Sequence, residues 1–223
     1  MDDLTLVIPA KKEKESLPNV LKELSDYKLK IIVVLEKTDF DTIKSIKNFN
    51  CKIVFQENKG YGDALNLGIQ NVNTKYFCIF NADGSFNPIE LNQMYEKIKI
   101  KNNDLVFASR YEKECKSDDD TLVTFVGNFI FTLIGKIFFQ LKITDILYTF
   151  VMGNTYKVKN LNLKSHDFVF CIELPIKANR NKLKITTSKS HERARIGGRK
   201  KVNALKDGYL ILIAMIKLFF NTK

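Results

Sequence analysis

Short apolar runs alternate with helix-like segments along the first half of the chain. The runs have the length of strands and are nearly continuous, as is typical of parallel strands buried on both faces. They cover residues 4–8, 30–35, 52–55, 76–80 and 105–108. Apolar residues recur at helical spacing between them: Leu17, Val20, Leu21 and Leu24, then Leu91, Met94 and Ile98. The alternation predicts βαβ units with right-handed crossovers, and therefore an α/β fold with a doubly wound, mainly parallel sheet.

After Arg110 the pattern changes. A polar stretch ends in three acids at 118–120, and residues 122–141 are then apolar for about the length that spans a bilayer. Asn128 and Lys136 interrupt this run, which favours an amphipathic or half-buried helix over a membrane span. Residues 209–220 are apolar except for Lys217 and are too short to span. We expect this second segment to lie in a membrane interface or to cover the core.

The formal charge of +11 is concentrated near the C-terminus. Residues 177–201 contain ten Lys or Arg and one acid. Such a segment fits a polyanion, whether nucleotide phosphates, anionic lipid heads or nucleic acid, although a solvated surface is the alternative. No Phe or Tyr interleaves these charges, so nucleic acid is the least favoured partner.

The cysteines and the N-terminus indicate a cytoplasmic setting. The four cysteines are scattered without close pairs, which favours neither a zinc site nor a disulfide framework. The chain begins with two acids and a short apolar run, which is not the basic-then-apolar order of a secretory signal. We therefore expect the protein in the cytoplasm.

Polar residues follow each predicted strand, where ligands of open α/β sheets bind. Pro9, Ala10 and Glu13 follow the first run and Glu36 follows the second. The third run leads into a stretch that begins with Asn58, Lys59 and Gly60 and includes Gly62. Glycines that open a helix let a ligand approach the backbone amides, although ordinary turn chemistry explains them equally well.

The fourth run ends in Asn81, Ala82, Asp83, Gly84 and Ser85. A carboxylate fixed at a strand end beside other oxygen donors suits Mg²⁺ or Mn²⁺ that bridges diphosphate oxygens. An Asx turn that caps the helix after Pro88 is the alternative interpretation.

The order of these motifs resembles the family 2 glycosyltransferases of GT-A fold, in particular the polyprenyl phosphate sugar transferases of the dolichyl phosphate mannose synthase type. IPAKKE is similar to the family's IPAYNE, NKGYGDALNLG to its glycine-containing loop, and NADGSFNP to its metal motif DAD-G-x-x-x-P. ASRY at 108–111, Asp145, and HERARIGGRKKVNALKDGY near the C-terminus also match. The resemblance covers almost the whole chain.

The resemblance implies an inverting enzyme that moves a sugar from a UDP- or GDP-sugar to a polyprenyl phosphate or another membrane-associated glycan acceptor. It implies a catalytic domain at 1–201, with a nucleotide-binding half at 1–110 and an acceptor half at 111–201. An amphipathic helix at 202–223 would hold the protein peripherally on the cytoplasmic face of the membrane. A role in building cell-envelope glycans follows.

The resemblance also assigns roles residue by residue. The implied donor-binding residues are Pro9, Ala10, Glu13, Glu36, Lys59, Gly62, Asn81, Ala82 and Asp83. Asp83 would hold Mg²⁺ or Mn²⁺ with Asn81 and Ser85 beside it. The implied phosphate- or acceptor-binding residues are Arg110, Arg193, Arg195 and Lys201. Glu173 lies where relatives with hydroxyl acceptors have a general base, which would accept the proton of the attacking hydroxyl.

Four positions depart from the family pattern. Leu35 and Glu36 stand where two aspartates are usual, and Asn81 replaces the first acid of the metal motif. Lys200 stands where a serine is usual. The loss of one acid lowers the charge of the expected metal site and motivates an alternative function, a non-catalytic binder of nucleotide sugars or lipid phosphates.

Overall fold

The apolar runs of the first half form one central sheet. The computed structural model describes residues 1–197 and 202–221. The sheet comprises β1 (Leu4–Pro9), β2 (Lys30–Glu36), β3 (Lys52–Gln56), β4 (Tyr76–Ile79), β5 (Leu105–Ser109), β7 (Val151–Asn154) and β8 (Ile185–Lys189). A small separate pair consists of β6 (Lys116–Ser117) and β9 (His191–Glu192). Each of the five predicted runs begins where its strand begins and ends within one residue of it.

The sheet order is β3-β2-β1-β4-β7-β5-β8. All neighbouring pairs are parallel except those of β7, which runs antiparallel to β4 and β5. The predicted α/β fold with a mainly parallel sheet is confirmed. Strands β7 and β8 belong to the predicted acceptor half, so the division near residue 110 does not separate two sheets.

Helices cover both faces of the sheet. They are α1 (Leu17–Leu24), α2 (Phe40–Ser45), α3 (Tyr61–Gln70), α4 (Glu90–Lys99), α5 (Leu122–Phe139), α6 (Thr155–Lys159), α7 (Phe170–Arg180) and α8 (Ala204–Phe220). The apolar stripes expected in α1 and α4 are buried in one core layer, and α3 and α7 pack in the other. Helices and strands alternate as the sequence predicts for the first half of the chain.

Helix α5 buries one narrow stripe and exposes the rest. Asn128 and Thr132, the polar interruptions on its buried side, bond to the loop 145–147: Asn128 accepts from Leu147 N at 3.0 Å, and Thr132 accepts from Ile146 N at 3.2 Å. Helix α8 packs against α5, with Phe219 edge-on to Phe138 at 5.7 Å between ring centroids. By length and composition α5 could cross a membrane, and only 22% of it is buried in the protein.

Candidate active site

A cleft of about 600 Å³ opens at the carboxyl ends of β1, β2 and β4. This is the edge where open α/β sheets bind ligands. Nine of the residues selected from the sequence line it: Pro9, Ala10, Glu13, Glu36, Asn81, Ala82, Asp83, Arg110 and Arg195. The fold therefore brings together residues that lie up to 186 positions apart in the chain.

Hydrogen bonds fix the wall formed by the loops after β1 and β2. Lys11 Nζ lies 2.9 Å from Glu36 Oε1, where both side chains line the cleft. The amide of Lys12 donates to Asp39 at 2.7 Å, and the amide of Glu13 donates to Thr42 Oγ1 at 3.0 Å. Because backbone and side chains are both tethered, this wall is preorganised for a ligand.

Asp83 is held in one orientation by its neighbour. Its Oδ1 accepts hydrogen bonds from the amide and the hydroxyl of Ser85, at 3.0 and 2.8 Å. This is the Asx turn considered above, and it leaves Oδ2 facing Arg195 in the cleft. Ser85 itself is buried and does not line the cleft. Its predicted role as a metal ligand is thus corrected to that of orienting Asp83.

A divalent cation would find few ligands from the protein alone. Asn81 Oδ1 lies 3.4 Å from the Tyr61 hydroxyl at the same edge, and Asp83 Oδ2 supplies a carboxylate oxygen. Residues 1–197 and 202–221 contain no cluster of three His, Cys, Asp or Glu side chains that could hold a metal. This donor set fits a cation whose shell is completed by diphosphate oxygens and water, as is usual for Mg²⁺.

Gly60, which precedes α3 and lines the cleft, and Gly62, in the first turn of α3, both pack against the backbone of residues 165–167. A Cβ atom on Gly62 would lie 2.5 Å from the carbonyl oxygen of Ser165, and one on Gly60 would overlap that of His166. Gly60 also has a φ of +123°, which favours glycine. Neither Gly62 nor the exposed Lys59 lines the cleft, so their predicted donor contacts are corrected.

The inner wall of the cleft is apolar. The rings of Tyr61 and Phe168 stack at 5.0 Å, and Cys171 lies beside them in the lining. Burial raises the pKa of the Cys171 thiol to about 12, so the thiol stays protonated at neutral pH and is no nucleophile. This wall offers contact area for the apolar part of a ligand.

Arg110 lies at the cleft but is bound by acids of the protein. Its Nε and Nη2 atoms are 2.8 and 3.0 Å from the two carboxylate oxygens of Asp145, and its Nη1 is 2.9 Å from Glu192. Asp120 lies 4.0 Å away, and the guanidinium stacks over Tyr148. These carboxylates engage its donors, and the predicted phosphate contact of Arg110 stays a prediction.

The two arginines of HERARIGG diverge. Arg193 points away from the cleft. Its Nη2 donates to Phe86 O at 2.7 Å and to Glu23 at 2.9 Å. Arg195 enters the cleft and forms a bidentate pair with Asp119, at 2.7 and 3.1 Å. The predicted phosphate contact of Arg193 is corrected because both terminal nitrogens of its guanidinium bond to the protein away from the cleft. Lys201 lies outside the described residues.

Glu173 is also away from the cleft. Its carboxylate accepts from the amides of Lys164 and Ser165 and pairs with Lys177 at 2.7 Å. Burial raises the pKa of Glu173, but these hydrogen bonds outweigh burial and lower it overall. Both oxygens are thus occupied by the protein, and the predicted general base is corrected to a group that fastens the loop before α7.

Comparison with known proteins identifies the family. The model of glycosyl transferase family 2 matches residues 5–161, which contain β1 to β7 and most of the cleft lining. The chain belongs to glycosyl transferase family 2. It is 28% identical over 133 residues to an uncharacterised protein of Methanocaldococcus jannaschii, covering 57% of this chain and 55% of that one. It is 30% identical over 109 residues to an uncharacterised glycosyltransferase of Mycobacterium tuberculosis, covering 49% of each.

The chain spans about half the length of the curated relatives it matches. Among solved structures it resembles glucosyl-3-phosphoglycerate synthase of Mycobacterium tuberculosis in complex with UDP, with a TM-score of 0.77 and 15% identity. That match covers 97% of this chain and 79% of the other. A complex of the same enzyme with Mn²⁺, UDP and glucosyl-3-phosphoglycerate gives a TM-score of 0.77. At this identity the likeness establishes the fold, whereas the polyprenyl phosphate subtype stays a prediction.

The structure shows where two of the residues that depart from the family pattern lie, Leu35 and Glu36. Leu35 is fully buried in the core, so only Glu36 of that pair faces the cleft. Three acids that the sequence analysis did not select also line the cleft: Asp119, Asp120 and Glu192. Among residues 1–197 and 202–221, the charged lining consists of six acids and the three cations Lys11, Arg110 and Arg195. The lining of this family 2 protein, as far as its residues are described, therefore has more acids than cations although the chain carries +11.

Proposed function

We propose that the protein is a glycosyltransferase that moves a sugar from a nucleotide diphosphate donor to an acceptor at a membrane surface. The observation that carries this proposal is Asp83, fixed by Ser85 at the end of β4 and aimed into a cleft of family 2 architecture. UDP and GDP sugars are the donor classes, and a polyprenyl phosphate or another membrane-associated glycan is the acceptor.

The acid-rich lining supports a cation-assisted donor site. A diphosphate brings further negative charge to a cleft whose described lining residues include twice as many acids as cations, so it needs a compensating cation. Asp83 and Asn81 would hold Mg²⁺ or Mn²⁺, which would neutralise charge on the departing diphosphate. The structural relatives crystallised with Mn²⁺ and UDP support the same cofactor class.

The reaction is a single displacement with inversion. An acceptor oxygen attacks the anomeric carbon, the bond to the diphosphate oxygen breaks, and the nucleoside diphosphate leaves with the electron pair. A phosphate acceptor is already ionised and needs no general base, which agrees with the engagement of Glu173 elsewhere. A hydroxyl acceptor in the cleft would lie near carboxylates of the lining, among them Asp120 and Glu192.

Helix α5 supports the placement at a membrane. Thr124 and Asn128 on its inner side line the cleft, so this helix separates the cleft from the apolar surface on its outer side. Its outer side and that of α8 expose large apolar residues: Leu122, Val123, Phe125, Val126, Phe129, Ile130, Leu133, Ile137, Phe138, Leu205, Tyr209, Leu210, Leu212, Ile216, Phe219 and Phe220. An apolar surface of this kind marks an interaction site. The exposed Lys136, Lys142, Lys206 and Lys217 fit anionic lipid heads.

This surface would hold the protein peripherally on the cytoplasmic face, with the apolar residues in the interface. The acceptor would then be lipid-linked and would reach the cleft past α5. One solved complex of glucosyl-3-phosphoglycerate synthase contains phosphoglyceric acid. A small soluble acceptor is thus the competing outcome for this protein.

A donor screen tests the proposal first. UDP-, GDP- and dTDP-sugars with Mn²⁺ are compared by thermal shift, since selective binding raises the melting temperature by mass action. Release of nucleoside diphosphate with lipid extract or 3-phosphoglycerate then identifies the acceptor class. A non-catalytic binder would show the shift without release under either condition, and absence of any shift would contradict the nucleotide site.

A further inference from the structure

Asp83 faces a cation of the protein itself. Arg195 Nη1 lies 3.6 Å from Asp83 Oδ2, the oxygen that the Ser85 turn leaves toward the cleft. The side chains of Arg195 and Asp83 are 23% and 15% exposed, so solvent screens this pair only in part. The guanidinium thus stands beside the oxygen that a divalent cation would use.

Asp119 holds Arg195 in that position. The two side chains form parallel hydrogen bonds, from Nη2 to Oδ2 at 2.7 Å and from Nε to Oδ1 at 3.1 Å. Bidentate pairs of this geometry are strong and directional. The guanidinium is therefore shared between Asp119, which orients it, and Asp83, which it faces with its remaining terminal nitrogen.

The backbone segment 193–197, here called the strap, is fastened to the Asp83 turn. The amide of Arg193 donates to Ser85 O and the amide of Ile196 donates to Asp83 O, both at 2.8 Å. Gly84 has a φ of +84°, and a Cβ on it would lie 2.5 Å from the Ile196 side chain. The strap thus lies directly on the turn, and Arg195 is delivered to Asp83 by backbone contacts on both sides of it.

We infer that Arg195, oriented by Asp119, occupies the cation position at Asp83 in the nucleotide-free protein and that a metal ion binds there only when a diphosphate draws the guanidinium away. Mg²⁺ binds carboxylate oxygen at about 2.1 Å. A metal on Asp83 Oδ2 would thus meet a second cation at close range. Diphosphate oxygens attract both cations and remove the conflict. The inference rests on the proposed function and makes Asp119 a positioning residue for that reaction.

The test measures Mn²⁺ binding by electron paramagnetic resonance of the free ion, first without and then with UDP or GDP. Arg195→Gln removes the competing cation, so its affinity for Mn²⁺ alone should rise by about tenfold or more, given the size of charge interactions at this range. The gain in Mn²⁺ affinity on adding nucleotide should shrink correspondingly. Asp119→Asn removes the bidentate partner that holds Arg195 at Asp83, so it should raise affinity for Mn²⁺ alone in the same direction as Arg195→Gln, by a smaller factor because an acid near the site is also lost. Unchanged or weaker affinity in Asp119→Asn would reject the positioning role of Asp119.

Arg193→Gln is the matched control, since Arg193 belongs to the same strap but points to Glu23 and Phe86. It should leave Mn²⁺ affinity unchanged. Arg195→Lys keeps the charge and should stay near wild type for Mn²⁺ alone, and thermal melting verifies that each variant is folded. Equal affinities for Mn²⁺ alone in wild type and Arg195→Gln, or a weaker affinity in the variant, would overturn the inference. Absence of nucleotide binding by the wild type would instead reject the proposed function.

Discussion

Arg110 and Asp145 form a bidentate ion pair at the inner edge of the cleft, with N–O distances of 2.8 and 3.0 Å. Asp145 is fully buried, and Asn128 of α5 donates to the same carboxylate at 2.6 Å. The pair therefore joins the end of β5, helix α5 and the loop before β7. Arg110 therefore has an architectural role beside its predicted contact with phosphate.

The first prediction concerns the stability of this pair. Asp145→Asn leaves Arg110 with one carboxylate partner fewer in a buried setting, so the free energy of unfolding should fall by about 3 kcal/mol. Chemical denaturation measures it. Asp41→Asn, which breaks the exposed pair with Lys14, is the control and should cost much less, because solvent screens that pair. Equal losses in the two variants would contradict the structural role of the pair.

The second prediction concerns Asp83 and metal. Asp83→Asn removes the carboxylate oxygen that faces the cleft, so the tighter binding of nucleoside diphosphate in Mn²⁺ than in EDTA should disappear. Isothermal titration in both buffers measures the difference. Asp63→Asn is the control, because Asp63 lies outside the cleft lining. Wild-type affinity that is the same in EDTA would show that metal has no part in donor binding.

The third prediction separates the two roles considered for Glu173. The pKa of Glu173 is lowered from its ordinary value of 4.5, so its ionised carboxylate stabilises the fold at pH values above 4.5. This contribution is lost as the pH falls through the pKa of the folded state. Glu173→Gln should therefore be less stable at neutral pH and lose less stability on acidification. Turnover per folded molecule should stay within about threefold of wild type, whereas loss of a general base typically costs about a hundredfold or more.

The fourth prediction concerns the apolar surface of α5. Phe129→Asp and Ile137→Asp should each lower the partition coefficient onto anionic liposomes by about tenfold or more, in line with the free energy of burying one large apolar side chain. Liposome flotation measures this. Phe40→Asp, on the equally exposed side chain of α2, is the control. Unchanged flotation of either α5 variant would contradict interfacial docking. Resistance of the protein to alkaline carbonate extraction would also contradict it, because that is the behaviour of a true membrane span.

The strands and the cleft edge could be read from the sequence because their signals are local. Apolar runs specify buried parallel strands, and strand ends fix where Glu36 and Asp83 must lie. The partners of the arginines could not be read in this way. Asp119 meets Arg195 across 76 positions, and Glu192 meets Arg110 across 82. Such pairing depends on how β6 and β9 come together, which no local pattern indicates.

The roles of Gly62 and Glu173 could not be decided from the sequence for a related reason. The role of Gly62 is decided by the backbone of Ser165 lying against it, and that contact arises between segments about a hundred residues apart. Glu173 likewise finds its partners in the loop before its own helix and in Lys177 one turn later. In each case the residue type allowed both a ligand-binding and a structural role, and tertiary packing selected the second.

The most direct measurement follows radiolabelled sugar from the nucleotide donor, chosen by the thermal-shift screen, into acceptor in the presence of Mn²⁺ and membrane lipid extract. The account predicts that label moves into the organic-solvent-extractable fraction with stoichiometric release of nucleoside diphosphate. Asp83→Asn should reduce the transfer by about a hundredfold or more, as expected for loss of a metal-binding carboxylate at the reacting diphosphate. Label that stays on the nucleotide with the wild type, although the donor binds, would contradict the central claim and identify a binding protein instead.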